Sequence, residues 1–472
     1  MLKRKAEKQI IDWIDHSKKA LLVSGVRQAG KTYIIRKCLE EKGCEYVEFN
    51  LIRQPEVVDI LEGTTRIEDL IMRLSLFSGK ELVPGETILF FDEIQRCKDI
   101  VTRVKFLVEY GRFRYIMSGS LLGVELTGLS SAPVGYMERL EMYPLDFEEF
   151  LQIYHISDAV MKILRKAYTE RTPVDEVIHK RMLELFREYL VIGGMPAAVD
   201  LFRESGDINA VMREHQAIID LYKLDFTQYE AEDRKLILTN TYELIPAELS
   251  EKNKRFKVAD IDKNLRYERM VDSFVWLWKA GVAIPVFNVT EPAAPLLANK
   301  KNSLFKLFLS DVGLLTTMYG SVTKLKILND DSDLNKGGIY ENAVTTELVS
   351  KGIQPYYYNS KKHGEIDFVT EDGEGIVPIE VKSGKDYKRH SALTWFMGAS
   401  AGEKTGEAIT PEAPFGDSDD PGAEGQGKKI RTAFVLSNAN VEVVGDIVYL
   451  PVYMLLFATR EEVEFPALKR EF

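Results

Sequence analysis

A short polar segment after the first apolar run has the residue types and spacing of a phosphate-binding loop. Residues 25–32 read Gly-Val-Arg-Gln-Ala-Gly-Lys-Thr, which fits the pattern GxxxxGK[ST], and the apolar residues 20–23 precede them. In such a loop, backbone N–H groups and the start of the next helix point at phosphate oxygens. The segment predicts nucleotide contacts by Gly25, Arg27, Gln28, Ala29, Gly30, Lys31, Thr32 and Tyr33.

Two acids after another apolar run would complete a hydrolytic site. The run TILFF is followed by Asp92 and Glu93. We expect Lys31 to reach the β and γ phosphates and Thr32 and Asp92 to hold Mg²⁺. Glu93 is predicted to polarise the attacking water, because adjacent Asp and Glu favour ATP hydrolysis over a kinase or GTPase arrangement. The alternatives are a coincidental strand–turn–helix for the loop and a solvated acid for Glu93.

Other polar residues near these runs are weaker candidates. Ser118 ends the segment RYIMS and is predicted to sense the γ phosphate, although serine is common after a strand. Arg112, Arg114 and Arg139 each fit an arginine finger or a surface charge, and the sequence does not choose between these roles.

A second set of charged residues lies in the last third of the chain. Glu380 and Lys382 stand two apart in IEVKS, so in a strand they share one face. Asp367 in GEIDF precedes them across the segment EDGEG, which predicts a hairpin that places it beside them. Together with Glu341 on a predicted helix, these carboxylates would form an oxygen cage for Mg²⁺, with Lys382 as the cation beside a phosphate. The alternative is an exposed strand face with cross-strand ion pairs.

Several remaining polar and aromatic residues have two interpretations each. His363 and His390 flank the carboxylates and fit surface histidines better than catalytic ones. Tyr356, Tyr357 and Tyr358 fit strand packing better than base stacking. A basic group would suit either a phosphate-contacting patch or a solvated face; its members are Lys252, Lys254, Arg255, Lys257, Arg266 and Arg269.

Composition limits the class of protein. A chain of 472 residues is expected to form two or three domains, and its net charge of −11 confines any polyanion contact to a local patch. No apolar run approaches a membrane span, and the N-terminal MLKRKAEKQIIDWID lacks the uncharged core of a signal peptide. Three cysteines without metal-ligand spacing predict neither a disulfide framework nor a zinc site, so a cytoplasmic location is expected.

Periodicity divides the chain into four regions. Residues 1–150 alternate strand and helix with strands that are continuously apolar, which predicts an α/β domain with a buried parallel sheet. Residues 151–240 have helical spacing and suit a lid or connector. Residues 241–330 contain an apolar helix over 269–289 and strand-like segments in the order of a winged helix. Residues 331–472 combine a helix and strands, with a flexible insertion expected over 398–429.

The ordered run of motifs resembles a known family. GVRQAGKT, ILFFDEIQR, YIMSGS and MYPLDFEEF resemble prokaryotic AAA-type ATP-binding proteins related to archaeal ATPases. YLVIGGMPAAV, FKLFLSDVGLL, IYENAV, GEIDFV and IEVKSG resemble the domain of unknown function that accompanies them. The resemblance implies a P-loop NTPase domain, a winged-helix middle and a restriction-endonuclease-like end of the PD-(D/E)xK type. It assigns Asp367, Glu380 and Lys382 to the nuclease motif, with Glu341 as its helical acid.

These observations lead to one functional prediction and two rivals. We expect a Mg²⁺-dependent ATPase whose nucleotide state moves a winged-helix and nuclease-like module on nucleic acid, with DNA as the expected partner. The first rival is a nucleotide-driven signalling switch whose C-terminal module is an inactive interaction platform. The second rival is a plain ATPase that a protein partner stimulates. The acidic insertion would oppose a phosphate backbone unless it points away. Oligomeric state stays open.

Overall fold

The fold is described from a computed structural model that covers residues 2–120, 135–229, 232–251, 254–257, 267–360, 364–373, 375–400 and 432–460. Five parallel strands form the N-terminal sheet in the order β2-β3-β4-β1-β5. They are β1 (Ala20–Gly25), β2 (Tyr46–Asn50), β3 (Ile88–Asp92), β4 (Arg114–Ser118) and β5 (Met137–Met142). All five residues of β3 are buried. The predicted parallel sheet of an α/β P-loop domain is confirmed.

Helices cover both faces of this sheet because alternate strand residues enter different hydrophobic clusters. Leu21 and Val23 pack with one cluster, and Ala20 and Leu22 pack with the other. The helices Lys5–His16 and Lys31–Glu41 lie on the first face. The second face carries Pro55–Gly63, Ile67–Ser78 and Lys98–Tyr110, and a 3₁₀ turn, Ile94–Arg96, follows β3.

A helical region follows the sheet, as the spacing predicted. Its helices are Phe147–Phe150, Asp158–Glu170, Glu176–Ile192, Pro196–Ser205, Ile208–Tyr229 and Glu232–Ser250, with a 3₁₀ turn at Leu151–Tyr154. Asp175 caps the third helix by accepting hydrogen bonds from the N–H groups of Val177 and Ile178. The same helix ends before Gly193, at the predicted Gly-Gly-Met-Pro stop.

The segment 269–289 is not one helix, so that prediction is wrong. A helix spans Tyr267–Lys279, and the chain then turns at Gly281, whose φ is +74°. The residues that follow form strand β6 (Ala283–Val289), where β-branched residues and Pro285 disfavour a helix. β6 pairs antiparallel with β7 (Lys300–Leu309), and a 3₁₀ turn, Leu296–Asn299, precedes β7.

The β6–β7 hairpin belongs to an eight-stranded sheet whose order is β12-β13-β11-β10-β9-β8-β6-β7. The other strands are β8 (Tyr356–Ser360), β9 (Gly364–Asp372), β10 (Gly375–Val381), β11 (Ala433–Ser437), β12 (Glu442–Val444) and β13 (Ile447–Pro451). The accompanying helices are Val312–Met318, Ser321–Leu328, Gly337–Ser350 and Ser391–Ser400, with a 3₁₀ segment at Val452–Phe457. β6 pairs in parallel with β8, so one sheet continues across the boundary predicted at residue 330.

Two sequence predictions fall on parts of the chain outside the described residues. Residues 258–266, which would begin the winged helix, are among them, as are residues 401–431 of the predicted insertion and its surroundings. Residues 398–400 end the helix Ser391–Ser400. Within the described ranges, no helix is long and apolar enough to span a bilayer.

Candidate functional site

The phosphate-binding loop joins β1 directly to the helix Lys31–Glu41. Gly25 lies against β5, and a Cβ atom there would stand 2.1 Å from the carbonyl oxygen of Met142. Gly30 caps the helix with φ +88°, a backbone conformation that favours glycine. The two glycines are therefore required by close packing at one end of the loop and by backbone geometry at the other.

Lys31 closes on the loop that precedes it. Its Nζ donates hydrogen bonds to the carbonyl oxygens of Gly25 at 3.0 Å and Val26 at 2.8 Å, and the side chain is buried. Burial lowers the pKa of Lys31 to about 8, against the opposing charges of Glu93 and Asp92. Two carbonyl oxygens of the loop thus hold the ammonium group.

Thr32 and Asp92 meet as the sequence predicted. The Thr32 hydroxyl lies 3.1 Å from both carboxylate oxygens of Asp92, although 60 residues separate them. Asp92 also accepts hydrogen bonds from Asn50 Nδ2 at 2.9 Å and from the Ser118 hydroxyl. A hydroxyl and a carboxylate beside a phosphate loop are oxygen donors of the kind that Mg²⁺ prefers, so these residues fit the predicted ion.

Glu93 directly follows the strand that carries Asp92 and has an unusual backbone. Its φ is +61°, which is uncommon for a residue with a side chain. The side chain is half-buried, and one carboxylate oxygen accepts a hydrogen bond from Gln95 Nε2 at 2.5 Å. Strained backbone of this kind is found most often at functional sites.

Residues far away in sequence hold the loop from outside. Arg4 donates to the carbonyl oxygen of Ala29 at 3.1 Å. Tyr222 donates to the carbonyl oxygen of Arg27 at 3.2 Å, and the Arg27 guanidinium donates to the buried carboxylate of Asp225. The loop therefore contacts both the N-terminus and the helix Ile208–Tyr229.

The other predicted nucleotide residues have varied surroundings. Ser118 is fully buried and bonded to Asp92, and Tyr33 is 41% exposed. Arg114 donates to the carbonyl oxygen of Ile14, whereas Arg139 donates to the hydroxyl of Ser24 at 3.3 Å. The guanidinium of Arg112 lies 5.5 Å from the ring centroid of Tyr110.

The second set of residues forms a carboxylate centre, a name used here for Glu341, Asp367, Glu380 and Lys382. β9 and β10 pair antiparallel with Ile379 opposite Phe368, as the hairpin prediction required. Asp367 accepts a hydrogen bond from the N–H of Val381 at 2.8 Å. Lys382, just after β10, lies 2.6 Å from Glu380, so the two side chains meet.

Two further lysines enter this centre. Lys254 Nζ lies 2.6 Å from Glu341 Oε1, and Lys306 Nζ lies 3.2 Å from Glu341 Oε2. Lys306 also lies 2.6 Å from Glu365. The two ammonium groups outweigh the effect of burial and hold the pKa of Glu341 below its usual value. Glu341 is thus an ionised partner of two lysines.

Metal binding at the carboxylate centre has support at only two of the predicted ligands. Burial, followed by the charges of Glu380 and Glu341, raises the pKa of Asp367 well above its usual value. Glu380 is buried, and its Oε2 has no hydrogen-bond partner among the residues that the structure describes. Crowded carboxylates with an unpaired oxygen fit a cation between Asp367 and Glu380. No group of three or more His, Cys, Asp or Glu side chains in the described part of the chain is arranged to hold a metal.

The remaining candidates near this centre have ordinary structural roles. Tyr356, Tyr357 and Tyr358 are buried in the sheet, in agreement with strand packing. His390 Nε2 lies 2.7 Å from the hydroxyl of Tyr449. His363 lies outside the described residues.

Four functional contacts were missed from sequence. Asn50 ends β2 opposite Asp92 in the parallel register, and a polar residue at a strand's carboxyl end was an available signal. Lys306 was visible as a lone charge within the apolar run SLFKLFL. Arg4 and Asp225 lie in amphipathic helical sequence and carried no such signal.

Comparisons with protein families divide the chain into three parts. Residues 17–151 match a family model described as an AAA domain. Residues 183–326 match a domain of unknown function, DUF8612, and residues 336–408 match another, DUF4143. No curated protein matches the chain.

Solved structures show only distant likeness. The Walker-type ATPase PABY2304 of Pyrococcus abyssi is 14% identical, with 68% of this chain and 96% of that chain covered, at a TM-score of 0.42. The Orc1 protein of Aeropyrum pernix, solved in complex with DNA, is 13% identical, with 70% and 93% covered and a TM-score of 0.28. The RuvB Holliday junction branch migration motor of Thermotoga maritima is 14% identical, with 60% and 89% covered and a TM-score of 0.27. The sequence identities and TM-scores are too low to indicate function.

Proposed function

We propose that this protein binds and hydrolyses ATP with Mg²⁺, and that the nucleotide state of the loop is transmitted to the C-terminal sheet to act on nucleic acid. One observation carries the ATPase assignment: the Thr32 hydroxyl lies 3.1 Å from the Asp92 carboxylate. Lys31 precedes Thr32 in the sequence, and Glu93 follows Asp92. The loop amides and Lys31 would bind the phosphates, and Thr32 and Asp92 would hold the ion. When bound, that ion neutralises charge on the transferred phosphoryl group.

Glu93 is the proposed general base. Its backbone lies in the left-handed region, and its side chain is close enough to Lys31 to oppose the lowering of the lysine pKa. Its carboxylate would accept a proton from the attacking water, while Gln95 fixes one of its oxygens. The half-exposed position leaves space for water to reach it.

Turnover assays on three variants test this assignment. Lys31→Ala should abolish tight ATP binding, whereas Glu93→Gln should retain binding and lower turnover by at least about 100-fold. Glu86→Gln is the matched control, because Glu86 is exposed on the turn before β3 and should leave both quantities unchanged. Turnover by Glu93→Gln at the wild-type rate would refute the assignment.

A contiguous set of contacts supports transmission from the loop. Arg27 and its carbonyl oxygen bind Asp225 and Tyr222. The rings of Tyr222 and Tyr242 have centroids 6.5 Å apart, which links the helix Ile208–Tyr229 to Glu232–Ser250. Leu249 in turn packs against Gly338 on the helix that carries Glu341, because a Cβ atom at Gly338 would lie 2.3 Å from the Leu249 carbonyl oxygen. These contacts form a continuous path from the loop to the helix that carries Glu341, and we propose that movement at the loop follows it.

The nucleic-acid part of the proposal is supported by charge near the carboxylate centre. Arg255 and Lys257 are exposed on the short segment that also carries Lys254. ATP turnover should rise with DNA, and this effect should weaken as salt increases. Plasmid nicking with Mg²⁺ or Mn²⁺ that disappears in Asp367→Ala would support cleavage, with Asp367 and Glu380 at the metal and Lys382 beside the scissile phosphate.

The surroundings of Glu341 favour a rival function, a nucleotide-driven switch with an inactive C-terminal module. Both carboxylate oxygens of Glu341 are occupied by lysine ammonium groups, so the centre has fewer free metal donors than a nuclease motif suggests. Absence of DNA stimulation and of nicking, together with intact ATP turnover, would favour the switch.

A further inference from the structure

Lys306 contacts the carboxylate centre and is more deeply buried than the four side chains that define it. It stands on β7 with no exposed side-chain surface, between Glu341 at 3.2 Å and Glu365 at 2.6 Å. These two carboxylates hold the ammonium group at a fixed position between them.

Both carboxylate oxygens of Glu341 already face lysine ammonium groups. Lys254 takes Oε1 and Lys306 takes Oε2, and the Glu341 side chain is only 3% exposed. Displacing Lys306 would leave a buried ammonium group without its partners, which is strongly unfavourable in a protein interior. A second positive ion near these lysines would also be repelled.

Asp367 and Glu380 are different, because their oxygens are not fully used. Lys382 lies 2.6 Å from Glu380 Oε1, while Glu380 Oε2 is buried and, within the described part of the chain, accepts no hydrogen bond. Asp367 accepts the N–H of Val381 through one oxygen. The pair therefore retains carboxylate oxygens that a hard divalent cation prefers, and magnesium is commonly held by one or two carboxylates plus water.

We propose that the carboxylate centre binds one divalent metal ion, through Asp367 and Glu380, and that the ammonium group of Lys306 provides the positive charge at Glu341 that a second metal ion would otherwise provide. Two-metal centres in phosphate-cleaving enzymes hold their ions about 3.5–4 Å apart and share carboxylates between them. Here Glu341 is excluded as a ligand and instead anchors two lysines.

The proposed centre combines side chains from two regions of the chain. Lys254 and Lys306 precede residue 330, whereas Glu341, Asp367 and Glu380 follow it. The shared sheet explains this arrangement, because β7, which carries Lys306, is joined through β6 to β8. A fragment beginning at residue 337 would lack both lysines, so the full chain is the proper material for a test.

Counting bound Mn²⁺ by electron paramagnetic resonance, on full-length protein without nucleotide, tests the proposal. It rests on metal binding at the C-terminal centre, so ATP turnover of the same samples reports separately on the ATPase. Asp367→Asn should bind one ion fewer than wild type, and Glu341→Gln should bind the wild-type number. Glu442→Gln, an exposed acid outside the centre, is the control and should also bind the wild-type number.

Lys306→Met is an independent test. It removes the ammonium group that pairs with Glu341 and Glu365, so the variant should bind one more ion than wild type. If circular dichroism shows that this variant does not fold, Asp367→Asn and Glu341→Gln still decide the question. The proposal is overturned if Glu341→Gln loses the ion, if Asp367→Asn loses two ions, or if Asp367→Asn loses none. A folded Lys306→Met protein with the wild-type number of ions would also overturn it.

Discussion

The buried carboxylate of Asp225 accepts a hydrogen bond from the guanidinium of Arg27, although 198 residues separate them. Arg27 belongs to the phosphate-binding loop, and its side chain is 41% exposed, whereas that of Asp225 is 4% exposed. Tyr222, one helical turn before Asp225, bonds to the carbonyl oxygen of Arg27. The loop that would receive ATP is therefore already attached to the helical region.

The unequal burial of this pair predicts unequal effects of mutation. Arg27→Ala removes the guanidinium partner of the buried Asp225 carboxylate, so it should lower the free energy of unfolding by about 1–3 kcal/mol. Arg27→Ala combined with Asp225→Asn should cost less than the sum of the single changes. Urea denaturation without nucleotide measures all four proteins of the cycle, and strict additivity would mean that the two side chains do not interact.

The buried position of Lys31 predicts proton uptake when ATP binds. Because burial lowers its pKa to about 8, much of the free protein has a neutral Lys31 above that pH, and triphosphate would restore the proton. ATP affinity should then fall by up to about tenfold per pH unit above pH 8. Titration calorimetry in buffers of different ionisation enthalpy measures the uptake.

Lys31→Arg is the matched control for this pH dependence, since a guanidinium stays protonated throughout the range. It should show no proton uptake on binding at pH 9. Absence of uptake by wild type at pH 9 would contradict the assignment of Lys31 to the phosphates.

Close packing at the Gly-Gly-Met-Pro stop predicts a large effect from one methyl group. A Cβ atom at Gly194 would lie 2.0 Å from the carbonyl oxygen of Leu145, so Gly194→Ala must shift backbone and should cost about 3 kcal/mol. Gly63→Ala is the control, because among the described residues no atom outside its own helix and its chain neighbours lies within 4 Å of its Cβ position, and the residue is helical. Chemical denaturation should find Gly63→Ala neutral or slightly stabilising; equal losses would show that the predicted clash is relieved.

Lys324 predicts a pH dependence of stability. It is buried, donates to the carbonyl oxygen of Gly313 at 3.1 Å, and has its pKa lowered by burial to about 7, with Asp311 opposing. Between pH 7 and its ordinary value near 10.5, the unfolded chain binds more protons than the native protein, so native stability rises with pH.

Relative to Lys324→Met, wild type should gain up to about 1.4 kcal/mol per pH unit from pH 7 to 9. Lys326→Met, a more exposed lysine on the same helix, should follow the wild-type curve. Urea denaturation at pH 7, 8 and 9 measures the difference, and a constant gap between wild type and Lys324→Met would contradict the prediction.

Local sequence was sufficient for the nucleotide loop and for its sheet. The pattern of residues 25–32, the apolar strands and the acids after TILFF depend on contacts over a few residues, and parallel strands bring their carboxyl ends to one edge. For this reason the meeting of Thr32 with Asp92 followed from sequence. The β9–β10 hairpin was predictable in the same way, because a short turn determines which residues face each other.

Only tertiary structure decided which distant charges neutralise each other. Periodicity cannot show that Asp225 reaches Arg27, or that Lys254 and Lys306 occupy both oxygens of Glu341. Nor did it show that β6 and β7 join the C-terminal sheet, because hydrogen bonding between distant strands depends on the whole fold. Burial then determines the chemistry of these groups: a charge removed from water needs a partner, and packing decides which partner is within reach.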